Sequence, residues 1–132
     1  MAITDEQIRE WGRSAAPYTI LILRRTDAFA FAAAADRDKT VWEHARRMIW
    51  LYAGGVMPVV CPCRDDRVDT DLSGVGIFAA DPDRTARIMD EDPAVQAGLY
   101  TYEVHPCRSV PGSALPPPGP PPGRAASGGC QP

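Results

Sequence analysis

The sequence predicts an α+β protein in which helices pack on a single β-sheet. Three observations lead to this class: short apolar runs of strand length, amphipathic stretches of helical length between them, and proline or glycine at most of the junctions. With 132 residues, of which 45% are hydrophobic and 23% charged, the chain has the size and composition of one globular domain.

After a short N-terminal helix, the predicted elements follow the order strand, helix, strand, strand, helix, strand. The strands are expected at residues 18–23, 56–60, 74–80 and 99–104, and the helices at residues 4–14, 39–53 and 82–90. This order is that of the split βαβ, or ferredoxin-like, arrangement. The alanine-rich residues 26–37 fit either a loop or a helix.

Local residue chemistry sets several of these boundaries. Thr4 and Gln7 have the spacing of a capping box, and Asp81 before a proline is typical of a helix N-cap. Asp92, also followed by proline, indicates one further helical turn before the last strand. Pro58 has no N–H to donate to a ladder, so its strand is expected at a sheet edge.

The helix at residues 39–53 carries an apolar stripe, and Gly54-Gly55 ends it. A helical wheel predicts that Val41, Ala45, Met48, Ile49 and Tyr52 lie on the apolar side and that Glu43, Arg46 and Arg47 lie opposite. His44 falls at the edge of the apolar stripe. Trp50 falls on the charged side, where it either packs on arginine stems or forms a subunit contact.

The predicted sheet has one face that the helices do not cover. The first strand, residues 18–23, is apolar on both sides, so its second face needs a cover as well. A second copy of the chain would supply it. We therefore expect a homodimer of twofold symmetry, joined mainly through the sheets.

Composition divides the chain and excludes several classes of function. We expect an N-terminal helical extension at residues 1–15, a domain at 16–108, and a disordered tail, rich in proline and glycine, at 109–132. A net charge of −3 argues against nucleic-acid binding. No signal-peptide pattern or membrane-spanning stretch is present, so a cytoplasmic location with free thiols is expected. No phosphate loop or dinucleotide fingerprint occurs, and no cofactor is expected.

Two residues are the candidates for chemistry. His44, on the best helix, would act as general base or acid, and Asp92 would orient its ring if the fold brings both to one pocket. Each also has a purely structural explanation: His44 as a residue at a helix shoulder, and Asp92 as the N-cap before Pro93.

A metal site is a weaker alternative. Cys61-Pro62-Cys63 and His105-Pro106-Cys107 carry possible zinc ligands. Their spacing differs from that of zinc knuckles, and the two segments are expected at opposite edges of the sheet. No metal site is therefore assigned.

Residues 18–108 resemble the YCII-related (YciI-like) family of small α+β proteins. The most specific likeness is Asp92-Pro93-Ala94-Val95-Gln96-Ala97-Gly98-Leu99, supported by the weaker segments that run from Gly55 to Pro62 and from Gly74 to Phe78. The resemblance implies an assembly of the dimeric α+β barrel type and a site built from His44 and Asp92. Cys61-Pro62, where the family often has Gly-Pro, and Val41, where it often has arginine, depart from the family pattern.

The function that the resemblance implies is chemistry on a small molecule. A few relatives act on small cyclic or aromatic compounds, including chlorinated hydroquinones. We therefore expect an acid–base enzyme that catalyses an elimination, isomerisation or dehalogenation on such a compound. The alternative is a non-catalytic dimer that binds a small ligand or serves as an accessory protein.

Overall fold

The computed structural model describes residues 2–63, 71–113 and 115–119. Along the chain the elements are α1 (Asp5–Ser14), β1 (Ala16–Arg25), α2 (Asp27–Phe31), α3 (Ala34–Ala53), β2 (Val59–Pro62), β3 (Leu72–Phe78), α4 (Pro82–Asp90), α5 (Pro93–Gln96) and β4 (Tyr100–Ser109). The predicted α+β class is confirmed.

The four strands form one sheet of order β2-β3-β1-β4, and every neighbouring pair is antiparallel. β2 and β4 therefore lie at opposite edges, as the sequence predicted. β1 lies inside the sheet; it pairs with β4 along its whole length and with β3 from Thr19 to Arg24.

Side chains of β1 alternate between the two faces of the sheet. Leu21 and Leu23 are buried on the face that carries α3, whereas Ile20 and Ile22 are half-buried on the opposite face. The core fills the space between the first face and the helices, and its buried apolar residues are Leu21, Leu23, Met48, Leu51, Met57, Phe78, Met89, Ala94, Leu99 and Tyr100.

The predicted helix caps are confirmed. Thr4 and Gln7 form a reciprocal capping box, and the Asp81 side chain accepts a hydrogen bond from the backbone N–H of Arg84. Gly55, with a φ of 77°, follows α3 in the left-handed region that glycine adopts readily. The open interpretation of residues 26–37 resolves into α2 and the first turn of α3.

The predicted position of the second strand was wrong. Residues 56–60 were expected, but β2 covers Val59–Pro62 and Pro58 precedes it. The backbone N–H groups of Val56 and Met57 both donate to the carbonyl of Leu51, so these residues belong to the turn that ends α3. The strand still lies at a sheet edge.

The predicted wheel of α3 is also rotated from the observed one. His44, Met48 and Leu51 are its buried residues, whereas Ile49 and Tyr52 are more than half exposed. α3 packs against α5 and β2, and this contact selects the buried stripe. His44 consequently lies within the buried stripe and not at its edge. Trp50 is 70% exposed, so the described part of the chain leaves most of it uncovered.

The two ends of the chain add little to this core. α1 contributes no buried residue. β4 extends to Ser109, one residue beyond the predicted domain, and residues 115–119 form no helix or strand. The rest of the predicted tail, residues 114 and 120–132, lies outside the described residues, as do residues 64–70. Within the described chain no helix is long and apolar enough to cross a bilayer.

Candidate active site

The fold brings His44 and Asp92 into direct contact, although 48 positions separate them. His44 projects from the middle of α3, and Asp92 is the residue that caps α5. The His44 Nδ1 atom lies 2.9 Å from Asp92 Oδ1 and 3.0 Å from Oδ2. An ionised carboxylate only accepts hydrogen bonds, so Nδ1 carries the hydrogen in this contact. In the neutral ring, Nε2 is then left with its lone pair.

Asp92 is completely buried and its carboxylate is well provided with donors. Oδ2 accepts hydrogen bonds from the backbone N–H groups of Ala94, at 3.0 Å, and Val95, at 3.3 Å. A buried carboxylate without such partners would be strongly destabilising. The structural role expected of Asp92, capping α5, and its contact with the imidazole therefore occur together in one side chain.

Arg47 adds a positive charge beside this carboxylate. Its Nη1 atom lies 3.8 Å from Asp92 Oδ1, and its side chain is 19% exposed. Nη1 is buried, and among the described residues it has no hydrogen-bond partner. The wheel placed Arg47 on the outer side of α3, so it was not predicted as a site residue. It lies one turn after His44, a spacing that brings two side chains onto neighbouring positions of a helix.

A cavity of about 370 Å³ lies beside His44, between α3 and the sheet. Apolar side chains form most of its lining. They include Leu21 and Leu23 from β1, Met48 from α3, and Met57 from the turn after α3. This volume falls within the usual range for small-molecule sites, about 300–1,000 Å³.

Two glycines of β3 help to create this space. Gly74 and Gly76 pair with Leu23 and Leu21, so both occupy positions on the face that carries α3. A Cβ on Gly76 would lie 2.8 Å from the Sδ atom of Met57, so a larger residue there would force the Met57 side chain to move. Gly74, without a side chain, leaves the sheet bare at the bottom of the cavity.

The two candidate residues do not share the cavity in the way that the sequence led us to expect. His44 lines it, but Asp92 does not. Among the described residues no partner lies within hydrogen-bond distance of His44 Nε2, and Nε2 is not one of the buried unpaired atoms. Asp92 therefore holds one nitrogen of the ring, and the other nitrogen remains available to the cavity.

Aromatic rings fix the remaining side of the imidazole. Tyr100 meets the His44 ring edge-on, with ring centroids 5.0 Å apart, and stacks on Phe29 at 5.8 Å. Gly98, at a φ of 75°, ends α5 and turns the chain into β4 just before Tyr100. Tyr100 and Phe29 were not predicted as site residues.

The cysteine and histidine segments considered for zinc do not converge. Cys61 lies on β2 and His105 on β4, at opposite edges of the sheet. Across residues 2–63, 71–113 and 115–119, no group of three or more histidine, cysteine, aspartate or glutamate side chains is placed to hold a metal ion. Cys61, Cys63 and Cys107 are free thiols, and Cys61 and Cys63 line the cavity.

The sequence matches no protein-family model, and no curated protein is significantly similar to it. The site must therefore be interpreted from its own geometry.

Proposed function

We propose that this chain is an acid–base enzyme that transfers protons on a small cyclic or aromatic compound bound in the cavity beside His44. One observation carries the proposal: a buried carboxylate binds one nitrogen of an imidazole whose ring lines an apolar cavity of ligand size. The same arrangement orients the histidine of other acid–base sites.

The chemistry assigned to each residue follows from its position. Nε2 of His44 removes a proton from a carbon or oxygen acid in the cavity and returns it to another position, or to a leaving group. Asp92 is the positioning residue, because it fixes the tautomer and stabilises the imidazolium that forms during transfer. The mostly apolar lining lowers the local dielectric, which strengthens these interactions. Isomerisation, elimination and dehalogenation all use such a step.

The chain is proposed to be YCII-like in family and ferredoxin-like in fold. The strand order β2-β3-β1-β4 supports the fold, and the Asp92-Pro93 cap beside His44 supports the family. A cytoplasmic location stays a prediction, for which the free thiols are the support.

A homodimer is proposed through the sheet face opposite α3. Ile20 pairs with Ile77, and Ile22 with Val75, so four aliphatic residues are adjacent on that face. They are only half-buried within one chain. A second copy would cover them, and sedimentation of the purified protein would measure the assembly.

The catalytic proposal is tested with a variant that keeps the structural contact. In His44→Asn, the amide N–H₂ can take the place of Nδ1 and donate to Asp92, but nothing replaces Nε2. We expect it to lose proton transfer by about a hundredfold or more. The measurement is deuterium incorporation by NMR, over a panel of phenolic and lactone compounds selected by thermal shift.

The matched control is His105→Asn, which changes an exposed histidine on β4 and should leave the rates unchanged. Equal rates in wild type and His44→Asn would refute the proposal. Compounds that bind near His44 without any catalysed exchange would favour the alternative, a non-catalytic ligand-binding dimer. The apolar lining and the structural role of Asp92 are compatible with that alternative.

A further inference from the structure

The charge of the cavity points to the kind of ligand that it binds. Arg25, at the end of β1, lines the cavity and is the one such residue with a permanent charge in the part of the chain that the structure describes; no aspartate or glutamate of that part lines it. An ammonium ligand would therefore meet a like charge there. A ligand with a single negative charge would meet a guanidinium, which binds carboxylates through paired hydrogen bonds.

Arg25 is also placed correctly relative to His44. It is the cross-strand partner of Tyr100, whose ring contacts the ring of His44. The Arg25 guanidinium carbon lies 5.7 Å from the centroid of Phe29, and Phe29 stacks on Tyr100. Arg25, Phe29, Tyr100 and His44 thus follow one another along one wall of the cavity.

The shape of the cavity fits a flat ring. Two aromatic residues stand on one wall, and Gly74 leaves the sheet bare below. A cavity of about 150 Å³ is known to hold one benzene molecule, so about 370 Å³ has room for a ring with substituents.

We propose that the ligand of this cavity is an aromatic carboxylate, with its carboxylate bound by Arg25 and its ring lying along the wall toward His44. The inference rests on the proposed function, since it assigns the substrate class of the same site. Arg25 can take this role while it keeps its other contacts, because a guanidinium has several N–H donors.

The test compares two probes that share a shape and differ in charge, benzoate and benzamide. Dissociation constants for both are measured by NMR chemical-shift titration at low ionic strength. Wild type should bind benzoate about tenfold or more tightly than benzamide, the preference that a hydrogen bond between charged groups gives. The shifted signals should include those of Tyr100 and His44.

The chain offers a matched control for the charge. Arg24 is the neighbour of Arg25 in sequence, but its guanidinium contacts Asp71 and Glu103, outside the cavity lining. We expect Arg25→Gln to bring the benzoate-to-benzamide preference close to one, Arg25→Lys to retain part of it, and Arg24→Gln to leave it unchanged.

Several results would overturn the inference. They are equal binding of the two probes to wild type, binding of neither, or an equal loss of preference in Arg24→Gln and Arg25→Gln. The wild-type comparison decides the matter even if Arg25→Gln does not fold. A strong preference for benzoate that depends on Arg25, without any catalysis, would refute the proposed enzyme activity and support the carboxylate site. Turnover that depends on His44 but occurs only with neutral compounds would support the enzyme activity and refute the carboxylate site.

Discussion

Among its described residues the protein has two contacts between a histidine and a carboxylate, and they lie in very different surroundings. In the first, His44 on α3 meets Asp92 at 2.9 Å, with side-chain exposures of 11% and 0%. In the second, His105 meets Glu103 at 3.3 Å on β4, with exposures of 53% and 46%. The two contacts share chemical groups and differ in burial, in sequence separation and in the space beside the ring.

The difference shows what turns such a contact into a candidate site. Glu103 and His105 are two residues apart on one strand, so local geometry alone brings them together, and water and salt screen their charges. The contact between His44 and Asp92 needs the complete fold. Both of its partners are buried beside a mainly apolar cavity, where charges are screened less than at the surface.

The largest difference is expected when each carboxylate is removed. Asp92→Ala deletes the cap of α5 and the partner of His44, and leaves the cation of Arg47 with the exposed Glu91, at 3.8 Å, in place of a buried carboxylate. We expect a loss of about 3–5 kcal/mol in the free energy of unfolding, measured by urea denaturation. Glu103→Ala should leave the urea midpoint nearly unchanged. Similar losses in the two variants would mean that burial does not separate these pairs.

A smaller difference is expected when each histidine is removed. His44→Ala takes one hydrogen-bond donor from a buried carboxylate that keeps two backbone donors, so a loss of about 1–3 kcal/mol is expected. His105→Ala should have the unfolding curve of wild type. The comparison would fail if His44→Ala were as stable as wild type, because Asp92 would then not depend on the imidazole.

The smallest effect concerns the exposed pair and its dependence on pH. Hydrogen bonds from Arg24 and then from His105 lower the pKa of Glu103 below its ordinary value of 4.5. A lowered folded-state pKa adds stability above the unfolded pKa, and this stability disappears as the pH falls through the folded value. Wild type should therefore melt slightly above Glu103→Gln at pH 6, and the two melting temperatures should converge in acid.

Added salt should reduce the small difference at pH 6, because salt screens exposed charges. A difference between wild type and Glu103→Gln that grew as the pH fell would contradict the assigned cause.

The local elements were largely predictable, because their signals lie in neighbouring residues. The capping box at Thr4 and the N-caps at Asp81 and Asp92 were all found where they were expected. The start of β2 was not, because the turn after α3 is held by the carbonyl of Leu51 and the sequence around Pro58 does not show this contact.

The site was predictable only in its two chemical residues. His44 and Asp92 were identified by residue type and by a family resemblance, and the distance between them was not. Arg47 and Arg25 looked like ordinary surface cations, since nothing in a helical wheel or a strand end indicates which neighbour will pack there. The packing of α5 against α3 determines the surroundings of Arg47, and the pairing of β1 with β4 determines those of Arg25.

The sequence by itself determined where most helices and strands begin and end and which residue types were available for chemistry, because capping, turns and periodicity act over a few residues. Only the tertiary structure decided that Asp92 binds Nδ1 of His44 while the same ring lines the cavity. That arrangement depends on the packing of α3, α5 and the sheet, and burial, hydrogen-bond geometry and local dielectric are properties of packing between distant segments.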